Sequence, residues 1–366
     1  MGEHTAVERA RRLAAELLAP HAATADDPAH GVPAGHLDAL AAAGLLGARM
    51  PVAEGGLGAG ERDDATAVEH LAGACGATWF VATQHRTPQA LSRGPLPGLD
   101  AGAVVLGPAA ERHRTGLAAA TTRAGLALAH VRRPGTPAVR AEPAAGGWTV
   151  RGTADWCTGW GLVDVVMLAA VAPGDRFVLA LVPARTQPGL RAGPPLPLAV
   201  MGGTRTVALE LDGLHVRHDD VLAVLDAPAW RAHDAARTAN ATPASLGLLR
   251  RVVTALGELG VERDRPEAVE LAVGLAPRVD ALRGEVYALL AEVPLAERLP
   301  ERTALRAEVT ALLVRVAHAL VAARSGSALL RGSPEQRWAR EAAFHLVQAQ
   351  SADVRRAQLA ALGGAR

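Results

Sequence analysis

The sequence predicts a multidomain α+β protein with an N-terminal α-helical domain, a middle antiparallel β-barrel or sandwich, and a C-terminal four-helix bundle. Three observations carry this. Apolar residues recur at helical spacing as far as about residue 91, short β-type runs cut by Pro/Gly turns follow, and helical spacing returns from Pro228 to the end. With 366 residues the chain exceeds what one core serves, and three domains are expected at 1–117, 118–226 and 227–366.

In the first domain, Val7, Ala10, Leu13, Ala14, Leu17 and Leu18 form one helical stripe, ended by Pro20. A second helix is expected from Pro33 to Ala43, stopped by Gly44. The glycine-punctuated stretch Gly44 to Gly58 reads as a shaped loop. Helical spacing resumes from Asp63 to Ala74 and from Trp79 to Leu91. His85 in the latter reads first as a hydrogen-bonded structural histidine and second as a catalyst. A Gly/Pro-rich loop, Gly94 to Gly107, leads out.

Strands are expected at Gly125 to Val131, Trp148 to Gly152, Val163 to Val171, Phe177 to Pro183 and Thr206 to Val216. In the last of these Val207, Leu209 and Leu211 alternate with Ala208, Glu210 and Asp212, the period of a strand with one buried face. Four apolar stripes then follow, around Leu246 to Leu259, Val279 to Leu290, Leu305 to Leu320, and Trp338 to Leu362. Four amphipathic segments with short connections make a bundle.

Composition removes several functions. Lys+Arg 38 against Asp+Glu 37 gives a net charge of +1 with no block of one sign, which disfavours a nucleic-acid face. Every basic residue of the Lys+Arg count is arginine, so neither a Schiff-base lysine nor a phosphate-loop lysine exists. The most apolar window, Leu162 to Val182, is broken by Asp164, Pro173, Gly174, Asp175 and Arg176 and reads as paired strands, not a membrane span. Cys75 and Cys157 lack CxxC spacing and the N-terminal residues lack an apolar signal core. No metal site and a reduced, cytoplasmic setting are expected.

The stretch Gly147 to Gly161 holds the chemistry. Two of the 6 Trp, Trp156 and Trp160, flank Thr158 in a polar turn between strands, setting an aromatic face beside a hydroxyl. That combination suits a planar, hydrogen-bonding cofactor; the alternative is an aromatic corner packed between sheet and bundle.

Three blocks resemble the acyl-CoA dehydrogenase family of flavoproteins: Gly44-Leu-Leu-Gly47 with Pro51 and Gly55-Gly-Leu-Gly58; Trp148 to Gly152 followed by Asp155-Trp-Cys-Thr158; and Ala180 to Pro183, Pro188-Gly189 and Gly202 leading into Val207 to Leu211. The resemblance covers about the first 225 residues. It implies the three-domain fold of that family and bound FAD, with Trp156 shielding the flavin ring and Thr158 hydrogen-bonding near its reactive nitrogen. It also implies an acyl-CoA or acyl-carrier-protein substrate and a homodimer or homotetramer, or a hetero-oligomer with a homologous chain.

Departures from the family pattern bear on activity. Of its "T-E-P-x-x-G-S-D" segment only Pro134 and Gly135 survive, with Arg132 and Arg133 where Thr and Glu would sit. The "R-x-x-F-G" segment of the diphosphate site is replaced by Leu259 to Pro266. The position of the usual glutamate base falls on Gln348 or Ala349, and the second place where members keep a base, Ala236 to Thr238, also lacks a carboxylate. The nearest substitutes are Asp353 and Glu341. The expected function is therefore an FAD-dependent oxidoreductase with the usual carboxylate absent. The alternatives are a non-catalytic subunit of a hetero-oligomeric dehydrogenase, a flavin monooxygenase or biosynthetic enzyme in which His85 or His130 would act, or a scaffold that has lost its cofactor.

Overall fold

The first helix starts on a capping box: the Thr5 hydroxyl accepts from the Glu8 N–H at 3.2 Å and the Glu8 carboxylate accepts from the Thr5 N–H at 2.8 Å. The structure, a computed structural model, describes residues 5–364. Helix α1 (Ala6–Leu13) runs into a π-turn at 14–18, followed by α2 (Ala22–Asp26), α3 (Ala34–Ala42), α4 (Glu61–Ala74), α5 (Gly76–Gln84), α6 (Arg86–Leu91) and α7 (Pro108–Ala118). Leu18, Leu37, Leu40, Leu71 and Trp79 lead the apolar core these helices share.

The sheet begins earlier than the expected boundary. Strand β1 (Val104–Leu106) lies in the Gly/Pro-rich stretch before α7 and pairs with the last strand of the middle region. The others are β2 (Ala124–Ala127), β3 (Val139–Ala144), β4 (Gly147–Cys157), β5 (Val165–Ala172), β6 (Arg176–Pro183), β7 (Leu190–Pro195), β8 (Val207–Arg217) and β9 (Val221–Asp226). They form one nine-stranded sheet in the order β1-β9-β6-β5-β3-β4-β8-β7, with β2 against β5. The expected antiparallel β domain is present, with parallel pairing only where β2 and β3 meet β5. Because the β3–β4 hairpin is inserted between β2 and β5, those two strands run the same way, and β3 also meets β5 in parallel at Arg140 and Val171. Strands β5 and β6 are buried on both faces, one side on the sheet's own core and the other under residues of α6, α7 and α8 (Ala227–Thr238), which is why they read as unbroken apolar runs.

The bundle comprises α9 (Pro243–Glu262), α10 (Pro266–Glu292), α11 (Leu299–Arg324), α12 (Pro334–Val347) and α13 (Ala352–Leu362). The fourth expected stripe is two helices, because Ala349 takes φ +46 and Ser351 caps a new helix by accepting from the Val354 N–H. The bundle is locked onto the N-terminal helices where α4 crosses α9. A Cβ on Gly247 would lie 2.2 Å from the Glu69 carbonyl oxygen, so only glycine permits that approach. Glu69 is buried there and accepts from Arg250 at 2.9 Å, from Arg283 at 2.6 Å and from the Tyr287 hydroxyl. Among the described residues no helix is long and apolar enough to cross a membrane.

Candidate functional site

The Trp156 turn is shaped by its backbone. Gly159 and Gly161 take φ +85 and +80, and the N–H groups of Gly159 and Trp160 donate to the carbonyls of Thr204 and Arg205 at 3.0 and 3.2 Å. The turn is thereby held against the segment that enters β8. Trp156 keeps 45% of its surface exposed, while Thr158 is buried with its hydroxyl 3.0 Å from that of Thr206. Thr206 in turn lies 2.9 Å from the Thr204 hydroxyl, which donates to the Met201 carbonyl at 2.8 Å.

Beside this turn runs the segment after β2. His130 is buried with Nε2 2.8 Å from the Ala169 carbonyl, a bond in which only the ring nitrogen can donate. Arg133 pairs with Asp155, next to Trp156, and Pro134 and Gly135 are exposed, Gly135 at φ +92 with no atom within 4 Å of where a Cβ would stand. Arg132 turns the other way and grips Asp234 of α8 with two bonds, 2.7 and 2.9 Å. Burial by itself would raise the Asp234 carboxyl, but the guanidinium fork outweighs it and holds the pKa below the usual range.

One turn further along α8, the Thr238 carbonyl accepts from Arg306 of α11. The same guanidinium donates to the carbonyls of Gln348 at 2.5 Å and Ala349 at 3.4 Å. Arg306 is buried and has no carboxylate partner. Desolvation, with Arg132 as a second cation, pushes its pKa down to about 10. Its positive charge faces the C-terminal ends of α8 and α12, where the helix dipoles place partial negative charge. Asp155, Arg133, Arg132, Asp234, Thr238, Arg306 and the 348–349 turn therefore form a continuous polar path from the sheet to the bundle.

At one end this path includes Asp155, the chain neighbour of Trp156, and Arg133, the chain neighbour of Pro134; at the other it reaches the carbonyls of Gln348 and Ala349, while Thr158 bonds instead to Thr206. The path leaves the other sequence candidates elsewhere. Asp353 sits in the first turn of α13, 77% exposed, paired with Arg356. Glu341 is 1% exposed beneath α5, beside Gly76 and Arg337, and burial, reinforced by Asp26, raises its pKa to about 7. His85 is buried, with Nε2 2.8 Å from the Leu117 carbonyl and Nδ1 accepting from the Ala124 N–H at 3.1 Å. Both ring nitrogens are engaged and burial lowers its pKa to about 4, so it is a neutral structural group joining α5 to β2. The path also contains residues the sequence reading missed. Asp234 stands two residues before the 236–238 stretch, and Arg306, with Arg302 four residues before it on Asn240, lies within the apolar stripe of α11, a pattern that signals buried charge.

Residues 2–92 match the family model of the acyl-CoA dehydrogenase N-terminal domain. No curated protein matches the chain significantly in sequence. Among solved structures, butyryl-CoA dehydrogenase from Megasphaera elsdenii superposes with TM-score 0.76 at 17% identity, covering 100% of this chain and 99% of its own. The FAD complex of PigA gives TM-score 0.76 at 15% identity over 100% and 99% of the two chains. Dibenzothiophene monooxygenase TdsC from Paenibacillus sp. A11-2 gives 0.74 at 19% identity over 99% and 98%. From its matched N-terminal domain to its last bundle helix, the chain has the acyl-CoA dehydrogenase fold.

Proposed function

We propose that the chain is an FAD-dependent oxidoreductase of the acyl-CoA dehydrogenase type, acting on an acyl thioester or a related small molecule without the family's usual carboxylate base. The observation that supports it best is the half-exposed indole of Trp156 at the C-terminal end of β4, two residues before the buried Thr158 in a turn whose next residues are hydrogen-bonded to Thr204 and Arg205. A large aromatic face left in solvent beside fixed polar groups fits a planar ring ligand. Gly135 adds an approach that no side chain blocks, and the Arg133 guanidinium next to it offers a cation to a phosphorylated ligand.

When bound, FAD supplies a ring that takes up two electrons. The chain's part is positioning. Trp156 covers the ring, the Arg132–Asp234 pair fixes the segment after β2 to α8, and Arg306 fixes the 348–349 turn. Gln348 and Ala349 offer no side chain able to take a proton near neutral pH, and the carboxylate that α8 itself carries, Asp234, is held ionised by Arg132 and Arg237. That inventory favours as second reading a monooxygenase or biosynthetic oxidation in which this turn removes no proton. A dehydrogenase subunit that borrows a base from a partner chain fits the same inventory. The substrate arrives as a thioester of coenzyme A or of a carrier protein, and a second copy of this chain is the assembly partner.

Protein purified with FAD is expected to show a flavin absorption band that Trp156→Ala weakens or shifts. Anaerobic bleaching by acyl thioesters of the chain alone supports the dehydrogenase reading, whereas turnover only with oxygen and a reductant supports the second. A protein that stays colourless after incubation with FAD refutes both.

A further inference from the structure

Behind the Trp156 turn, three threonine hydroxyls form a chain whose direction follows from counting protons. Thr158 lies 3.0 Å from Thr206, Thr206 lies 2.9 Å from Thr204, and Thr204 lies 2.8 Å from the Met201 carbonyl. All three threonines are buried. Each hydroxyl has one proton, and a carbonyl can only accept. Thr204 therefore donates to Met201, Thr206 donates to Thr204, and Thr158 donates to Thr206. Any other assignment leaves two buried oxygens in contact with no proton between them, a repulsion that persists at Met201 even though its carbonyl also accepts from the Thr204 N–H at 3.1 Å. Thr158 is left with its proton committed to Thr206 and only lone pairs for any further partner.

We propose that Thr206 and Thr204 are positioning residues that make Thr158 an obligate hydrogen-bond acceptor toward bound flavin, so that this turn favours the reduced ring over the oxidised one. The inference rests on the reading of the turn as a flavin contact. Reduction delivers two electrons to the ring and a proton to its reactive nitrogen, changing that nitrogen from acceptor to N–H donor. A hydroxyl that cannot donate gains a hydrogen bond from the reduced ring and opposes a lone pair in the oxidised one. The chain thus raises the reduction potential of its cofactor through two residues that do not touch it. If the three threonines served only to satisfy buried polar groups at the turn, their removal would lower stability and leave the potential alone.

The test is the potential of FAD bound to the full-length protein, by anaerobic dithionite titration against a reference dye. Thr206→Val releases the Thr158 proton, which can then turn outward and donate to the oxidised ring. The preference for reduced over oxidised FAD should fall about tenfold, the effect of one hydrogen bond, or about 30 mV for a two-electron couple. Thr206→Ser restores the chain and should keep the wild-type potential. Thr204→Val lets Thr206 donate back to Thr158, which frees the same proton, and should lower the potential likewise; it serves if Thr206→Val does not fold. Equal potentials in wild type and both valine variants overturn the inference, as does a Thr206→Ser variant that shifts as far as Thr206→Val. Failure to bind FAD, or a flavin spectrum indifferent to Trp156→Ala, overturns the flavin placement and the inference together. FAD that depends on Trp156 but keeps an unmoved potential overturns only the hydroxyl chain.

Discussion

Glu341 shows how a residue that looks like a base from sequence becomes a stability determinant in the fold. It is 1% exposed, close to Asp26, and burial raises its pKa from 4.5 to about 7 against the opposing pull of Arg337 and Arg340. Between those two values the folded chain holds a proton that the unfolded chain has lost, so this group makes stability fall as pH rises through the window and level off above it. His85 acts in the opposite sense. Its pKa is depressed to about 4, so between pH 4 and 6.5 the unfolded chain binds the extra proton and stability rises with pH. The two slopes offset each other in wild type. Glu341→Gln keeps the neutral shape and removes one slope, and its melting temperature relative to wild type should climb steadily from pH 5 to pH 7, by up to ~1.4 kcal/mol of stability per pH unit. A constant difference across circular-dichroism melts at those pH values would mean that Glu341 is ionised throughout. Neither role is legible from sequence, because Arg-Glu at 340–341 has the same letters whether the side chains face solvent or a domain junction.

At the scale of elements, Arg306 holds three of them together. The ends of α8 and α12 and the start of the turn into α13 all aim carbonyls at one guanidinium. Arg306→Met should therefore cost about 1 to 3 kcal/mol through unpaired buried carbonyls, and should loosen α13 selectively. Hydrogen exchange over 348–364 is the measure; uniform loss of protection along the chain would show that the clamp is not local. Arg306→Lys should not rescue it, since one ammonium cannot span three carbonyls arranged for a planar fork. The period of the apolar residues revealed most of these helices before the structure did, and it failed where pattern and tertiary contact diverge. The Trp338 to Leu362 stripe continues across the 348–351 break, so periodicity ran two helices into one. Strand β1 is three residues inside a Gly/Pro stretch and exists only because β9 presents an edge to it. The Trp156 turn was legible because its composition is unusual, whereas Thr204 and Thr206 become partners of Thr158 only once β8 is brought alongside β4.

For the molecule as a whole, the order of helices, sheet and bundle was readable because each region keeps one hydrophobic period over tens of residues. What the bundle leaves uncovered gives a prediction about self-association. On α10 the uncharged run 271–277 buries Ala272 and packs Leu275 on the bundle core, yet leaves Val273 67% and Leu271 43% exposed. Neighbouring Gly274 and Gly284 have open space where a Cβ would stand, which permits close approach of another backbone. Val273 and the open backbone around it are what a second copy would cover. With a net charge of +1 two copies do not repel, and a rim of both signs, from Arg278 and Glu285, can face itself across a two-fold axis. A second copy is thus the expected occupant. Light scattering at micromolar concentration should give at least a dimer, and Val273→Asp, which places a charge within the uncharged run, should shift it toward monomer while leaving circular dichroism unchanged. The melting temperature of wild type, but not of the variant, should rise with protein concentration, because assembly stabilises the folded state by mass action. A wild-type monomer at those concentrations, or a Val273→Asp variant that assembles as wild type does, would remove this face of α10 as the interface.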